Sequence, residues 1–214
     1  MLAEMDVVNG LVLFVSILVV LYASKAVKNP YISRKVIHMW VGAVLLVVPF
    51  AFSGPLFPVA LCLLLTGFTM LPHMKGREMP WFQFKENFGE VYFAAMTTLL
   101  LAAAWRYDIW LAVTALLFMA WGDGVTGIVR NYKYGRRYKG AWGTYAMVTV
   151  SVPLGLLLYG WSHGWAFAWI GVVGALAASY VEKLEVMDDN VSIPVFGFTV
   201  MFLLQLATGA SPIT

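Results

Sequence analysis

The residues best suited to chemistry lie between Trp121 and Thr144, a stretch that starts inside one apolar run and ends at the next. Its one acid, Asp123, stands between Gly122 and Gly124. A carboxylate at membrane depth is costly and by default marks a functional site. Five basic residues follow it: Arg130, Lys133, Arg136, Arg137 and Lys139. The positive-inside rule accounts for part of this patch, and an acid beside so many cations also predicts a place where phosphates and a metal ion meet.

A second polar group, EKLEVMDDN, follows a later apolar run. Glu182, Glu185 and Asp189 are spaced so that a continued helix would place them on one face. They are either ordinary solvated charge or, with Asn190, part of a magnesium site, because Mg²⁺ accepts carboxylate oxygens.

A third group lies in YISRKVIHMWVG, where Pro30 and Ser33 predict a helix start. Lys35, His38 and Gly42 then share one face. The simple interpretation is an interfacial anchor; the functional one is a Lys and a His that point at an anionic ligand.

The glycines Gly122, Gly124 and Gly127 spell G-x-G-x-x-G, but an apolar helix precedes them, so a Rossmann nucleotide site is excluded. They predict either close helix packing or close approach of a phosphate. The sequence contains no P-loop motif.

These groups must be held by membrane helices, since 61% of the chain is hydrophobic and 12% is charged, against about 25% charged in globular domains. Continuous apolar runs predict an all-α membrane bundle in one domain, residues 1–214, and not a β-barrel. The eight predicted spans are Val7–Tyr22, Val36–Phe52, Leu56–Leu71, Val91–Trp105, Ile109–Val129, Tyr145–Tyr159, Trp165–Val181 and Ile193–Ala207.

Basic residues fall on alternate connections, and only Arg106 lies on the others. With eight helices, this predicts both termini outside and the polar groups at the cytoplasmic face. In the third connection, the spacing of Trp81, Phe84 and Phe88 predicts a short interfacial helix, which either anchors the chain or gates entry of a lipid.

Acids, cations and a Lys–His pair on one membrane face suit phosphoryl or nucleotidyl transfer to a lipid, which needs Mg²⁺, cations and positioning. In this order the motifs resemble those of the polyprenol kinase family, which includes dolichol, phytol and farnesol kinases and CTP-dependent diacylglycerol kinases. The resemblance is carried by Arg34, Lys35, His38, Gly42; Gly122, Asp123, Gly124, Thr126; Arg130, Gly135; Lys139, Gly143, Thr144; and Glu182, Asp189, Asn190, Pro194. It implies a kinase that transfers phosphate from CTP to a membrane-embedded alcohol with Mg²⁺.

The resulting hypothesis gives each polar group a role. Catalytic residues are Asp123, Lys35 and His38. Nucleotide-binding residues are Gly122, Gly124, Arg130, Arg136, Arg137, Lys139, Gly143, Thr144 and Asn190. Metal ligands are Asp123, Glu182 and Asp189. The expected partners are a lipid alcohol, the nucleotide and membrane lipids of the cell membrane, with no nucleic acid. A cytidylyltransferase acting on a lipid phosphate, or a carrier that uses Asp123 for coupling, are the alternatives.

Overall fold

The computed structural model describes residues 2–135, 138–184 and 187–213, and over these ranges it consists of helices joined by short connections. The α-helices are α1 (Leu2–Ala23), α2 (Pro30–Ala51), α3 (Leu56–Met74), α4 (Gly89–Ala104), α5 (Ile109–Leu117), α6 (Gly124–Tyr134), α7 (Ala141–His163), α8 (Ala168–Lys183) and α9 (Asp189–Thr208). The predicted all-α membrane bundle is confirmed. Seven helical stretches are long and apolar enough to span a membrane, and α4, with 16 residues, is a shorter apolar helix.

The centre of the bundle is one long helix, Ile109–Tyr134, in which a π-helical turn, Phe118–Asp123, joins α5 to α6. Leu111, Leu116 and Phe118 have no exposed surface, so α5 is packed on every side. The predicted fifth span stopped at Val129, but the helix continues to Tyr134 and ends at Gly135, whose φ of +63° is the usual left-handed helix end. Turns of π-helix are frequent at functional sites, and this one carries Asp123.

Helix α2 begins where the sequence predicted, with Pro30 in its first turn, but its cap is Asn29, whose side chain accepts hydrogen bonds from the backbone of Tyr31 and Ile32. Further along, α2 lies tightly against the π turn. A side chain at Gly42 would overlap Trp121, and the Trp121 indole donates a 2.8 Å hydrogen bond to the carbonyl of Met39. The first part of α2 is therefore held beside Asp123.

The predicted interfacial helix in the third connection is wrong. Residues between α3 and α4 form turns and an isolated bridge between Phe84 and Asn87. The physical reason is that the chain folds inward: Phe82 is buried in a small apolar cluster, and the Gln83 side chain donates to the carbonyl of Thr69 and to Glu90. These tertiary contacts override the helical spacing of the aromatic residues.

A separate polar cluster lies at the opposite end of the bundle. Asp108 caps α5 and accepts hydrogen bonds from the buried side chains of His163, at 2.7 Å, and Gln205, at 3.0 Å. The other His163 ring nitrogen is 2.7 Å from the hydroxyl of Ser162. This cluster joins the ends of α5, α7 and α9.

Candidate active site

The site lies at the end of the bundle where α2, α6, α8 and α9 meet. Asp123 is 3% exposed, and the Lys35 ammonium of α2 donates a hydrogen bond to its carboxylate. The stem of Lys35 crosses α6 at Gly127, where a Cβ would overlap the Lys35 side chain. This glycine therefore serves the close approach of a side chain, and two predicted catalytic residues, 88 positions apart in sequence, are in contact.

A second buried ion pair joins α6 to α8. Arg130 Nη1 lies 2.5 Å from Glu182 Oε1, and both side chains are almost fully buried. Gly143, at the start of α7, faces the Arg130 guanidinium so closely that a Cβ there would overlap it. The predicted residues Arg130, Glu182 and Gly143 thus lie together.

The third ion pair uses the connection between α8 and α9. Lys139 Nζ donates to Asp189 Oδ1 at 2.9 Å and to the Glu182 carbonyl at 2.6 Å. Helix α8 ends at Lys183, close to the predicted end of this span at Val181, and α9 begins at Asp189, where Asp188 provides the cap, so the acids do not share one continued helix. Glu182 and Asp189 still meet, since the chain reverses direction between them. Glu185 lies outside the described residues.

The three acids that were predicted as metal ligands converge. Asp123, Glu182 and Asp189 each present a carboxylate oxygen, and these oxygens lie within 4.8 Å of one another. All three residues are buried, at 3%, 0% and 5% exposed. A divalent cation bound by hard oxygen ligands suits this set, because buried carboxylates need positive charge nearby. The residues present therefore fit a magnesium ion, and their roles as ligands stay predictions.

The same cleft contains polar atoms that lack a hydrogen-bond partner. Among the described residues that line it, these are Arg130 Nε and Nη2, Arg34 Nε and Asn190 Oδ1. Buried polar groups are nearly always paired in native proteins, so such a concentration is typical of a site that binds a polar ligand. Guanidinium groups match phosphate in charge and geometry. The cleft that Arg34, Lys35, Arg130 and Asn190 line with Asp123 and Asp189 therefore suits phosphate groups.

His38 lies one turn beyond Lys35 on α2, but it faces a different cavity. Its ring stacks on Phe93 of α4, with centroids 4.1 Å apart, and no described residue hydrogen-bonds either ring nitrogen. It lines an apolar cavity together with Glu90. Glu90 in turn lies 3.5 Å from Arg34, which lines the polar cleft. The polar cleft and the apolar cavity are therefore neighbours, and Arg34 and Glu90 lie between them.

Gly122 and Gly124 were predicted to serve either close helix packing or close approach of a phosphate, and the geometry favours packing. A Cβ at Gly122 would overlap Ser151 of α7, and one at Gly124 would lie 2.8 Å from Met39 of α2. Both glycines are buried within helical turns. Their role toward a nucleotide stays a prediction. Arg136 and Arg137, also predicted to bind the nucleotide, lie outside the described residues.

The sequence analysis assigned no role to Glu90. Its carboxylate is 2.6 Å from His73 Nε2 and 3.0 Å from Gln83, besides its contact with Arg34. The signal that could have found it is its position at the start of an apolar run, where an acid at membrane depth is costly. The aromatic spacing around it instead favoured a surface role.

The chain is similar to a probable phytol kinase, chloroplastic, of Triticum aestivum, to which it is 30% identical over 142 residues. The match supports assignment of the chain, at family level, to the polyprenol and phytol kinases. It covers 54% of this chain and 44% of the wheat protein. No family model matches the sequence, and no solved structure matches it.

The similarity to a phytol kinase agrees with the geometry, since a lipid-alcohol kinase needs a phosphate-binding cleft beside an apolar cavity. The chain spans less than half of the wheat protein's length, so the whole protein's substrate and donor are matters for proposal.

Proposed function

We propose that this protein is a lipid-alcohol kinase that transfers the terminal phosphoryl group of CTP to a membrane-embedded prenol at the cytoplasmic face. One observation carries the proposal: three buried carboxylates and three cations from separate segments converge in a cleft next to an apolar cavity. A soluble kinase fold is not needed for this chemistry, because phosphoryl transfer depends mainly on positioning and on neutralising charge.

Asp123, Glu182 and Asp189 are the proposed ligands of a magnesium ion. When bound, the ion neutralises charge that develops on the phosphates. The carboxylates now face Lys35, Arg130 and Lys139 in ion pairs. We therefore expect these cations to turn toward the nucleotide phosphates when the carboxylates are engaged by the metal. Such an exchange keeps every buried charge paired before and after substrate binding.

Arg130 and Lys139 would bind the nucleotide phosphates, supported by the Asn190 amide and the Thr144 hydroxyl. Arg130 still has two N–H groups without a partner among the described residues, and Lys139 is half-buried, so it can reach a ligand that enters the cleft. Arg136 and Arg137 are proposed for the same role from the sequence alone.

In the reaction, the acceptor's hydroxyl oxygen forms a bond to the terminal phosphorus, and the bond from phosphorus to the CDP oxygen breaks. The hydroxyl proton passes to a neighbouring base. Asp123 and His38 are the candidates: Asp123 lies in the cleft, and His38 has ring nitrogens available in the adjoining cavity. Lys35 stabilises negative charge between them.

The test uses purified full-length protein in detergent with Mg²⁺, radiolabelled CTP and a panel of prenols. The expected products are prenyl phosphate and CDP in equal amounts. Parallel reactions with ATP and UTP identify the preferred donor. The absence of nucleotide-dependent product with every lipid alcohol, diacylglycerol included, would overturn the proposal. CDP-lipid and pyrophosphate formed from a lipid phosphate would identify a cytidylyltransferase instead.

A further inference from the structure

Between α2 and α3 lies an apolar groove that the proposed chemistry does not explain. These two helices are consecutive in the chain, and both fall entirely within the described residues, yet they do not pack closely against each other. Helices α1 and α4 flank the gap, and α3 packs on both of them. The space comprises one cavity next to His38 and an adjoining one farther from it.

The two cavities form one continuous groove, because they share lining residues from all four helices: Ile17, Val41, Cys62, Leu65 and Thr97. Along α2 the lining extends from His38 to Phe52, a distance of about 20 Å at the rise of an α-helix. Each helix contributes residues at helical spacing, such as Val41, Val44 and Val48, and therefore a single stripe. The lining therefore forms one groove that is elongated along these helices, and not two separate grooves.

The two ends of the groove differ in polarity. At the end near the polar cleft it meets His38 and Glu90, and the ring nitrogens of His38 have no partner among the described residues. A saturated acyl chain offers these groups nothing to hydrogen-bond, whereas a chain that ends in a hydroxyl does. His38 lines this end of the groove and lies one helical turn from Lys35 on α2, so it marks where an alcohol group meets the reactive cleft.

The far end of the groove is closed. Asp6 of α1 accepts hydrogen bonds from the backbone and hydroxyl of Ser53, and the Asn9 side chain donates to the carbonyl of Ala51. These contacts tie α1 to the connection between α2 and α3. A Cβ at Gly10 would lie 3.1 Å from Leu61 and 3.6 Å from Phe52, so the three residues form a tightly packed floor.

We propose that this groove holds the hydrocarbon chain of a single-chain isoprenoid alcohol, with its hydroxyl at His38, and that the closed end sets the longest chain accepted. This inference rests on the proposed function, because it names the acceptor site of the same reaction. It excludes diacylglycerol as the preferred acceptor, since that lipid has two chains.

The first experiment compares Val44→Phe with Val47→Phe in a kinase assay on geraniol, farnesol, geranylgeraniol and phytol. Val44 lines the deep half of the groove, whereas Val47, on the same helix, is 46% exposed on the outer surface. Val44→Phe is expected to reduce kcat/KM for the two longest alcohols by roughly tenfold or more and to leave kcat/KM for geraniol unchanged. Val47→Phe is expected to leave kcat/KM unchanged for every alcohol. An equal effect of Val44→Phe on every chain length, or no effect, would overturn the inference.

A second experiment measures whether the alcohol occupies the groove. It does not depend on catalysis, and it uses the protein with its native sequence. Cys62 is the only cysteine and lines both halves of the groove. Geranylgeraniol is expected to slow its modification by methyl methanethiolsulfonate, followed by intact mass. The control is Leu63→Cys in a Cys62→Ala background, because Leu63 is 57% exposed and faces outward. Equal protection at both positions, or none at Cys62, would show that ordinary lipid fills the groove.

These experiments distinguish a failure of the proposed function from a failure of the proposed acceptor groove. If the wild-type protein phosphorylates no alcohol, the proposed function fails. If it phosphorylates alcohols but Val44→Phe matches Val47→Phe and Cys62 is unprotected, the function stands and the acceptor groove is wrong.

Discussion

Three acidic side chains of the cleft each face a basic side chain from another segment: Asp123 with Lys35, Glu182 with Arg130, and Asp189 with Lys139. Removing one member of a buried pair leaves the other uncompensated, which is strongly destabilising. Substitutions in this cleft should therefore be conservative. Their effects should be measured through ligand dependence as well as through activity.

Asp123→Asn is expected to reduce turnover by roughly 10²–10³-fold, because the amide neither accepts a proton nor binds a cation well. The measurements are turnover and a titration of activity with Mg²⁺. Loss of turnover with an unchanged Mg²⁺ requirement assigns Asp123 as the base, and a raised Mg²⁺ requirement assigns it as a ligand. Glu86→Gln, the same change at an exposed position of the same end, is the control. Wild-type turnover in Asp123→Asn would contradict the assignment.

Gly143→Ala is expected to raise the KM for CTP by roughly tenfold, because a methyl group there overlaps the Arg130 guanidinium and displaces it. The lipid KM should change little, since the groove lies elsewhere. Gly67→Ala is the matched control: nothing lies within 4 Å of a Cβ at that position. The prediction is wrong if nucleotide and lipid constants change together.

At the residue scale, the sequence pointed to the acids that the fold brings together: Asp123 because a carboxylate is costly at membrane depth, and Glu182 and Asp189 because of their spacing and because Mg²⁺ accepts carboxylate oxygens. It could not identify their partners. The contact of Lys35 with Asp123 depends on the path of one side chain over Gly127, and that of Lys139 with Asp189 on a turn between helices. Such contacts between distant segments leave no periodic signal in the chain.

At the scale of elements, apolar length predicted the spans well, because a helix that crosses the bilayer must satisfy its own backbone. Short polar connections were predicted less well. The segment before α4 folds around Phe82 and Gln83 instead of forming the predicted interfacial helix. Hydrogen bonds to other elements decide the local structure there, and the spacing of the aromatic residues does not contain them.

At the end of the bundle opposite the cleft, the Asp108 side chain holds the ends of α5, α7 and α9 together. Asp108→Asn weakens the contacts with His163 and Gln205, at an expected cost of about 1–3 kcal/mol. For a chain of this length, the melting temperature should fall by about 2–10 °C. Fluorescence-detected gel filtration after heating measures it, and kinetic constants below the melting point should be unchanged. Arg106→Gln, an exposed change nearby, is the control; equal melting temperatures would contradict this role.

For the whole molecule, the basic residues give an orientation to test. Of the Lys and Arg that the structure describes, all except Arg106 lie on the site side of the bundle or in the connections next to it. In a Cys62→Ala background, Arg106→Cys should react with a membrane-impermeant maleimide on intact cells, and Lys133→Cys only after permeabilisation. The reverse labelling would place the cleft outside and contradict the predicted cytoplasmic face.

The packed centre of the bundle has a consequence for what happens to the product. Between the cleft and the Asp108 cluster, Leu116, Phe118 and Met119 have no exposed surface and belong to a packed core that is mainly hydrocarbon. Among the described residues, this core offers no open polar route to a newly charged headgroup formed at the cleft. The proposed reaction therefore traps its lipid in the leaflet from which the alcohol came, and delivery to the opposite leaflet requires a separate flippase.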